Sequence, residues 1–254
     1  MRPILTKLTP SRGFSQLLHL GYNILLPALI YILVQLKSSG FVGLALSLIL
    51  LSKWRMFAVR PRFWLANIRA NAIDMIIGVS VLAYMVNTQS TWLQITWAVL
   101  WVGWLIYIKP KATVFWVSLQ AFIGFVAGLM ALFLAWDHGP LIGLVASAGA
   151  LCFFAAHHFF DSFDEPYTRL LSFVWGYFGA ALVWVLGHWL LFYFYGFLAQ
   201  PTLLLVTLGF GLGTLYYLDH FDKLNTNIKR QFIFIMLAIV LVVLTFSDWG
   251  DKIV

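Results

Sequence analysis

The chain has 254 residues, of which 62% are hydrophobic and only 10% are charged. A water-soluble domain of this size would carry about 25% charged residues, and too little polar surface is present here to cover a soluble core. The composition therefore excludes a soluble enzyme or binding module and predicts a polytopic membrane protein. We expect the net charge of +7 to serve membrane orientation and contact with anionic lipid headgroups, and we expect no nucleic-acid partner.

Nine apolar runs follow one another along the chain, separated by short polar segments. They cover residues 17–36, 40–56, 70–87, 91–108, 112–136, 140–157, 170–197, 201–218 and 231–247. An α-helix of about 20 residues crosses the hydrocarbon core with every backbone group paired. We therefore predict one all-α transmembrane domain over residues 1–254: a helical bundle with about nine transmembrane helices, in a multi-pass protein of the cell membrane.

The positive charges predict an orientation for these helices. With a cytoplasmic N-terminus, the cytoplasmic side receives three cations from residues 1–12, five from 53–74, two from 109–111, one from 169 and three from 223–230. These are fourteen of the sixteen Lys and Arg residues, and only Lys37 and Lys252 lie on the other side. This bias favours nine spans with the C-terminus outside. Eight spans, with the C-terminal tail on the cytoplasmic side, remain the alternative.

Two acidic connectors carry a sequence repeat. Residues 160–164 read F-D-S-F-D, and residues 218–222, which lie 58 positions later, read L-D-H-F-D. The repeat predicts a bundle that contains duplicated two-helix hairpins.

The carboxylates of these connectors are candidates for a metal site. Two Asp residues three positions apart lie on one face of a helix, and carboxylates together with a substrate's phosphates satisfy Mg²⁺. The candidate ligands are Asp161, Asp164, Asp219 and Asp222. Nearby basic side chains are candidates for contacts with phosphate or lipid headgroups, namely Arg60, Arg62, His158, Arg169 and Lys223. Asp is also a common residue at solvated helix ends, so a purely structural role is the alternative.

The predicted topology and one of these loops resemble a known family. Nine spans with His158, Asp161 and Asp164 between the sixth and seventh runs resemble the intramembrane aromatic prenyltransferases of the UbiA type. The resemblance implies a Mg²⁺-dependent enzyme that acts on a lipid-linked phosphate or prenyl diphosphate. That family carries another Asp-rich motif after its second span, where this chain has the basic segment 53–74 instead.

A polar stripe begins the third apolar run. Asn67, Asn71 and Asp74 are spaced four and three residues apart, so they lie on one face of a helix. An acid near the bilayer interior must face protein or a water-filled cavity, and it is a functional candidate for that reason. The stripe predicts a pathway for a cation or proton, with Gln120 as a partner and Arg69 or another connector cation as the counter-charge. A structural polar contact between helices is the alternative.

These features lead to three functional hypotheses. The first is a non-catalytic protein, either a small transporter or a lipid-handling bundle, that acts on a small solute or a lipid. The second is the Mg²⁺-dependent enzyme, and Mg²⁺ is the one cofactor that the sequence suggests. The third is a scaffold subunit, whose small-residue seams such as Gly124–Gly128 and Gly209–Gly213 would pack against another chain, so an oligomer is an open possibility.

Overall fold

The computed structural model describes residues 12–136, 139–189, 194–195 and 198–247. Within these residues the chain is nearly all-α and forms nine α-helices joined by short connectors. The helices are α1 (Arg12–Gln35), α2 (Ser39–Leu51), α3 (Trp64–Asn87), α4 (Thr91–Gly103), α5 (Val114–Ala135), α6 (Leu141–Asp161), α7 (Thr168–Trp189), α8 (Gln200–His220) and α9 (Thr226–Phe246).

Each of the nine predicted apolar runs overlaps one of these helices. Seven described helical segments are long and apolar enough to cross a membrane, as expected of a multi-pass membrane protein: α3, α5 to α9, and α4 together with the π-helical segment Trp104–Ile108 that continues it. Helix α2 has only 13 residues, which at 1.5 Å per residue extend over about 20 Å and fall short of a bilayer core of about 30 Å. Nine crossings and the cytoplasmic N-terminus therefore stay predictions. Residues 1–11 and 248–254, which hold some of the counted cations, lie outside the described residues.

Several helix boundaries differ from the predicted runs, most of all the start of α3 and the end of α7. Helix α3 begins at Trp64, six residues before the predicted run, because the basic connector supplies its first turns. The seventh run was predicted to extend to residue 197, but α7 ends at Trp189. Strand β1 (Phe194–Tyr195) then pairs antiparallel with β2 (Leu198–Ala199). Aromatic residues favour extended structure, and the Tyr195 hydroxyl donates a hydrogen bond of 2.7 Å to the carbonyl of Val243 on α9.

Glycine sets the closest approach between two helices of the bundle. A Cβ atom on Gly149 of α6 would lie 3.1 Å from the carbonyl oxygen of Gly176 on α7, and one on Gly176 would lie 3.0 Å from the carbonyl oxygen of Gly149. The backbones therefore touch at this crossing, as small residues spaced along a membrane helix predict. The main buried core extends from here through α5 to α3 and α4.

The two acidic connectors end their helices in the same way. Asp164 and Asp222 both adopt the left-handed backbone conformation, with φ of 54° and 53°. After each of them the next N–H donates back to a carbonyl five residues earlier, from Glu165 to Phe160 at 3.3 Å and from Lys223 to Leu218 at 2.8 Å. This is the Schellman arrangement of a helix C-terminus. The repeat therefore corresponds to a shared local structure, while duplication of whole hairpins stays a prediction.

Candidate functional site

Asp74 of α3 forms the centre of a buried ion cluster. Its Oδ2 lies 2.9 Å from Nζ of Lys53, which precedes α3, and it also contacts Nζ of Lys109, which follows α4. Its Oδ1 accepts a hydrogen bond of 3.1 Å from Nε1 of Trp104. The Asp74 side chain is only 11% exposed. The carboxylate therefore has two positively charged partners, and each of its oxygens has at least one donor.

A π-helix shapes this cluster. Helix α4 continues as one π-helical segment, Trp104–Ile108, and the N–H of Lys109 donates to the carbonyl of Trp104 at 2.9 Å. Trp104 and Lys109 both reach Asp74 from this segment. π-Helical turns are rare, and they occur often at functional sites. The local backbone therefore marks the Asp74 cluster as a candidate site.

The two lysines respond differently to their surroundings. Burial disfavours a charged ammonium, and it lowers the pKa of Lys53 although Asp74 attracts the charge. Burial is also the largest single effect on Lys109 and opposes its charge, but the attraction of Asp74 and the hydrogen bond with it act together to raise the pKa. As the pH rises, Lys53 is therefore expected to lose its proton before Lys109 does.

The rest of the predicted polar stripe makes structural contacts. Nδ2 of Asn67 donates to the carbonyl of Met56 at 3.2 Å, and Nδ2 of Asn71 donates to the carbonyl of Asn67 at 2.9 Å. The Asn67 amide fastens the start of α3 to the connector before it, whereas the Asn71 hydrogen bond lies within α3. The stripe was expected to line a pathway together with Asp74, and that role stays a prediction.

Gln120 joins α5 to its neighbours at the same end of the bundle. Its Nε2 donates to the carbonyls of Ile108 and Lys111, at 2.8 and 3.0 Å, and its Oε1 lies 3.3 Å from Nε2 of His158 on α6. Arg69, one of the cations expected to neutralise Asp74, instead lies with Nη1 3.4 Å from Nε2 of His157. The counter-charges come from Lys53 and Lys109.

The predicted headgroup contacts divide into two groups. Arg60, Arg62, Arg169 and Lys223 are exposed at helix ends. Three of them lie over neighbouring aromatic rings, Arg62 over Phe63, Arg169 over Phe173 and Lys223 over Phe221, at 4.6, 5.9 and 5.8 Å. His158 is half-buried against Gln120 instead. The four exposed cations are free to reach lipid headgroups, and that contact stays a prediction.

The four aspartates proposed for Mg²⁺ are exposed on the two acidic connectors. Among the described residues, no group of three or more His, Cys, Asp or Glu side chains is arranged so that it could hold a metal ion. The structure therefore does not join Asp161, Asp164, Asp219 and Asp222 into one ligand set. A Mg²⁺ requirement stays a prediction of the sequence.

Substitutions at the two left-handed aspartates distinguish a structural role for these residues from a metal-binding role. Glycine adopts positive φ without a steric penalty, so Asp164→Gly and Asp222→Gly should each keep or raise stability, by up to about 1 kcal/mol. Val at either position should lower it by about 1–2 kcal/mol, because a β-branched side chain is strained at positive φ, whereas Asp tolerates that conformation. Thermal unfolding in detergent measures both changes. A large loss of stability in the Gly variants, together with a stabilisation by added Mg²⁺ that only the wild type shows, would contradict the capping role.

Glu165 is a buried acid that the sequence did not single out. Its side chain is 2% exposed, and its Oε2 lies 3.2 Å from Nδ1 of His220 at the end of α8. Its Oε1 accepts the N–H of Tyr167 at 3.2 Å, whereas Oε2 accepts no hydrogen bond from the described residues. Tyr216 of α8 stacks its ring on His220, with 6.4 Å between the ring centroids. The Pro166 that follows Glu165 indicates a turn, but not that the acid is buried.

An apolar cavity of about 230 Å³ lies beside this acid, between α5, α6, α7 and α8. Phe125 and Ala155 form its buried floor, at 5% exposure each, and Tyr216 lines it as well. At its rim Val174 is 58% exposed, Phe210 48% and Leu212 49%. These rim residues lie within helices long enough to span a membrane, so the cavity opens on the side of the bundle.

Comparison with known proteins does not place this chain in a family. The resemblance to the aromatic prenyltransferases remains a similarity of predicted topology and of one loop. No protein-family model, no curated protein and no solved structure matches the chain, so its function is inferred from the site alone.

Proposed function

We propose that this integral membrane protein handles lipids, and that the cavity between α5 and α8 takes up the apolar chain of a lipid from the bilayer. The observation that carries the proposal is the lateral opening of an aromatic-lined cavity among membrane-length helices. Ligand sites are typically concave and apolar, with a few polar groups that fix orientation. Here the polar group is the Tyr216 hydroxyl, at the charged end of the bundle where the Tyr216 ring stacks on His220 and His220 contacts Glu165.

The cavity suits a chain better than a small polar solute. Its lining is mostly Phe, Trp, Leu, Val, Ala and Gly, with Ser118 and Tyr216 as the hydroxyl-bearing residues. A volume of about 230 Å³ corresponds to roughly eight CH₂ groups, if each takes about the volume of one liquid water. The rest of a longer chain would extend through the lateral opening into the bilayer.

The Asp74 cluster supports the choice of lipid handling over solute transport. A carboxylate that carries a cation or proton must exchange its partners, but Asp74 is held by two ammonium groups and an indole. Removing it from these donors would leave charges unpaired in a half-buried site. We therefore assign this cluster a structural role at the end of the bundle, beside the lipid cavity.

A chain-labelling experiment tests the proposal. The protein is reconstituted in vesicles with a trace of lipid that carries a photoactivatable group on its acyl chain, and labelled peptides are mapped by mass spectrometry. We expect labels on Phe122, Val174 and Leu212 in excess of those on exposed residues of α9. Gly213→Leu should reduce the excess severalfold, because its Cβ would lie 3.4 Å from Cε1 of Phe159 and a larger side chain fills the cavity.

Two further variants keep this test decisive. Gly43→Leu is the matched control, because a Cβ on Gly43 meets no atom within 4 Å and the residue is exposed on α2. Ser118→Phe fills the cavity from α5 and replaces Gly213→Leu if that variant folds poorly. Labels spread evenly over all exposed apolar faces, and unchanged by either filling variant, would overturn the proposal.

A further inference from the structure

A second apolar cavity, of about 380 Å³, lies between α3, α5 and α6. Its buried floor includes Ser80, at 2% exposure, and Ala131, at 5%. Oγ of Ser80 donates to the carbonyl of Ile76 at 2.7 Å, within α3, so this hydroxyl needs no ligand. Val79 at the rim is 36% exposed and belongs to a helix long enough to span a membrane, so this cavity also opens on the side of the bundle.

The two cavities occupy opposite halves of the bundle. The first, between α5 and α8, is lined by residues within 118–125 of α5 and 155–160 of α6, whereas the second is lined by residues within 128–136 of α5 and 147–154 of α6. Helix α5 begins and α6 ends at the charged end of the bundle, where their side chains meet. The first cavity therefore lies in the half next to the charged end and the second in the other half, and no described residue lines both.

The size of the second cavity suits an acyl chain. Along α3 it extends from Met75 to Ala83, which at 1.5 Å per residue is about 12 Å, less than the roughly 15 Å that one leaflet contributes to a hydrocarbon core of about 30 Å. Its volume corresponds to roughly thirteen CH₂ groups, if each takes about the volume of one liquid water. A helix of another chain, about 10 Å wide, would need about 900 Å³ over the same length, so it is too large to enter.

We propose that the second cavity is a further lipid site, and that it takes the acyl chain of a lipid from the leaflet opposite to the one that serves the first cavity. A lipid chain extends from its own interface to about the middle of the hydrocarbon core. A cavity in one half of the bundle is therefore within reach of one leaflet. The inference rests on the proposed function only where it compares the two cavities, since a chain can bind in the second without the first.

A lipid confined to one leaflet tests the inference. The protein is reconstituted in vesicles, and a lipid with a photoactivatable acyl chain and a large charged headgroup is added from outside, so that it enters the outer leaflet alone. Lys223→Cys reports the orientation, because Lys223 is exposed at the charged end and an impermeant biotin maleimide reaches this position only from outside. The native Cys152 is buried. After illumination, the tagged molecules, whose charged end faces outward, are separated from the untagged ones.

The two populations should give opposite results. In the tagged molecules we expect labels on Val174 and Leu212 of the first cavity, severalfold above those on Val79 and Leu132 of the second. In the untagged molecules this order should reverse, because their other end faces the leaflet that carries the probe.

Substitutions in the second cavity identify the site of labelling. Ala150→Phe narrows this cavity from α6 and should reduce its labelling severalfold without changing that of the first. Ala146→Phe is the matched control, because Ala146 is exposed about one turn earlier on the same helix and lies outside the lining. Ala83→Phe fills the cavity from α3 and replaces Ala150→Phe if that variant folds poorly.

Equal labelling of both cavities from one leaflet would overturn the inference, and so would labelling of the second cavity that neither filling variant reduces. A second cavity that stays unlabelled from either leaflet, as expected if a second copy of the chain covers it, would overturn the inference as well. In each of these cases labelling of the first cavity leaves the proposed function standing. Labels in the second cavity alone would support this site and overturn the proposed function.

Discussion

Replacing Asp74 with Asn should destabilise the folded protein by about 3 kcal/mol, the lower end of the range for removing one partner of a buried ion pair. The substitution leaves Lys53 and Lys109 close together without a counter-charge. The lower end applies because the Lys109 side chain is 38% exposed and partly screened by solvent. Thermal unfolding of the detergent-solubilised protein measures the effect as a fall in the midpoint.

A second substitution identifies the cause. Asp74→Asn combined with Lys53→Met removes one charge of each sign and leaves only the more exposed Lys109 charged, so it should recover part of the lost stability. Asp161→Asn is the control, because this exposed carboxylate should change stability by no more than about 0.5 kcal/mol. If Asp74→Asn left the midpoint unchanged, the ion cluster would not stabilise the bundle.

The sequence identified the buried acid of this cluster but not all of its partners. Asp74 stood out because a carboxylate within an apolar run is costly and needs a partner. Lys53 lies 21 residues before it and belongs to the connector from which a counter-charge was expected. Trp104 lies 30 residues after it and reaches it only because α4 ends in a π-helical segment. Apolar periodicity gives no sign of such a segment, so neither Trp104 nor Lys109 could be assigned in advance.

The all-α character of the fold was readily predicted, whereas the cavity was not. Apolar runs of membrane length specify helices directly, because lipid leaves no other way to pair the backbone. The cavity depends on how four helices cross, and its lining residues look like any other lipid-facing residues. The burial of Glu165 could not be predicted either, because it arises where the α6–α7 connector packs against the end of α8.

Helix α6 places the ion cluster and the cavity side by side. His158 turns towards Gln120 of α5, at the end of the bundle that holds Asp74. The next residue, Phe159, lines the cavity. A change in the position of this helix end would therefore affect both sites together. The tight packing of α6 against α7 is what holds it, and it can be tested directly.

Gly176→Leu should destabilise the bundle by about 3 kcal/mol or more, at or above the upper end of the usual range for overpacking. A Cβ at this position would lie 3.0 Å from the carbonyl oxygen of Gly149 and 3.0 Å from Cβ of Phe153. A backbone carbonyl cannot move aside as a flexible side chain can, so α7 would have to separate from α6. We expect a large fall in the thermal midpoint and reduced labelling of the lipid cavity.

Two variants separate this effect from a general cost of adding leucine. Gly43→Leu adds the same side chain where no atom lies within 4 Å of the new Cβ, so it should keep the wild-type midpoint. Gly176→Ala adds only the Cβ, which crowds the Gly149 carbonyl, and its loss of stability should be intermediate. A midpoint for Gly176→Leu equal to that of Gly43→Leu would show that α6 and α7 do not need this close contact. The ion cluster and the cavity would then have to be held in place by α3 and α5 instead.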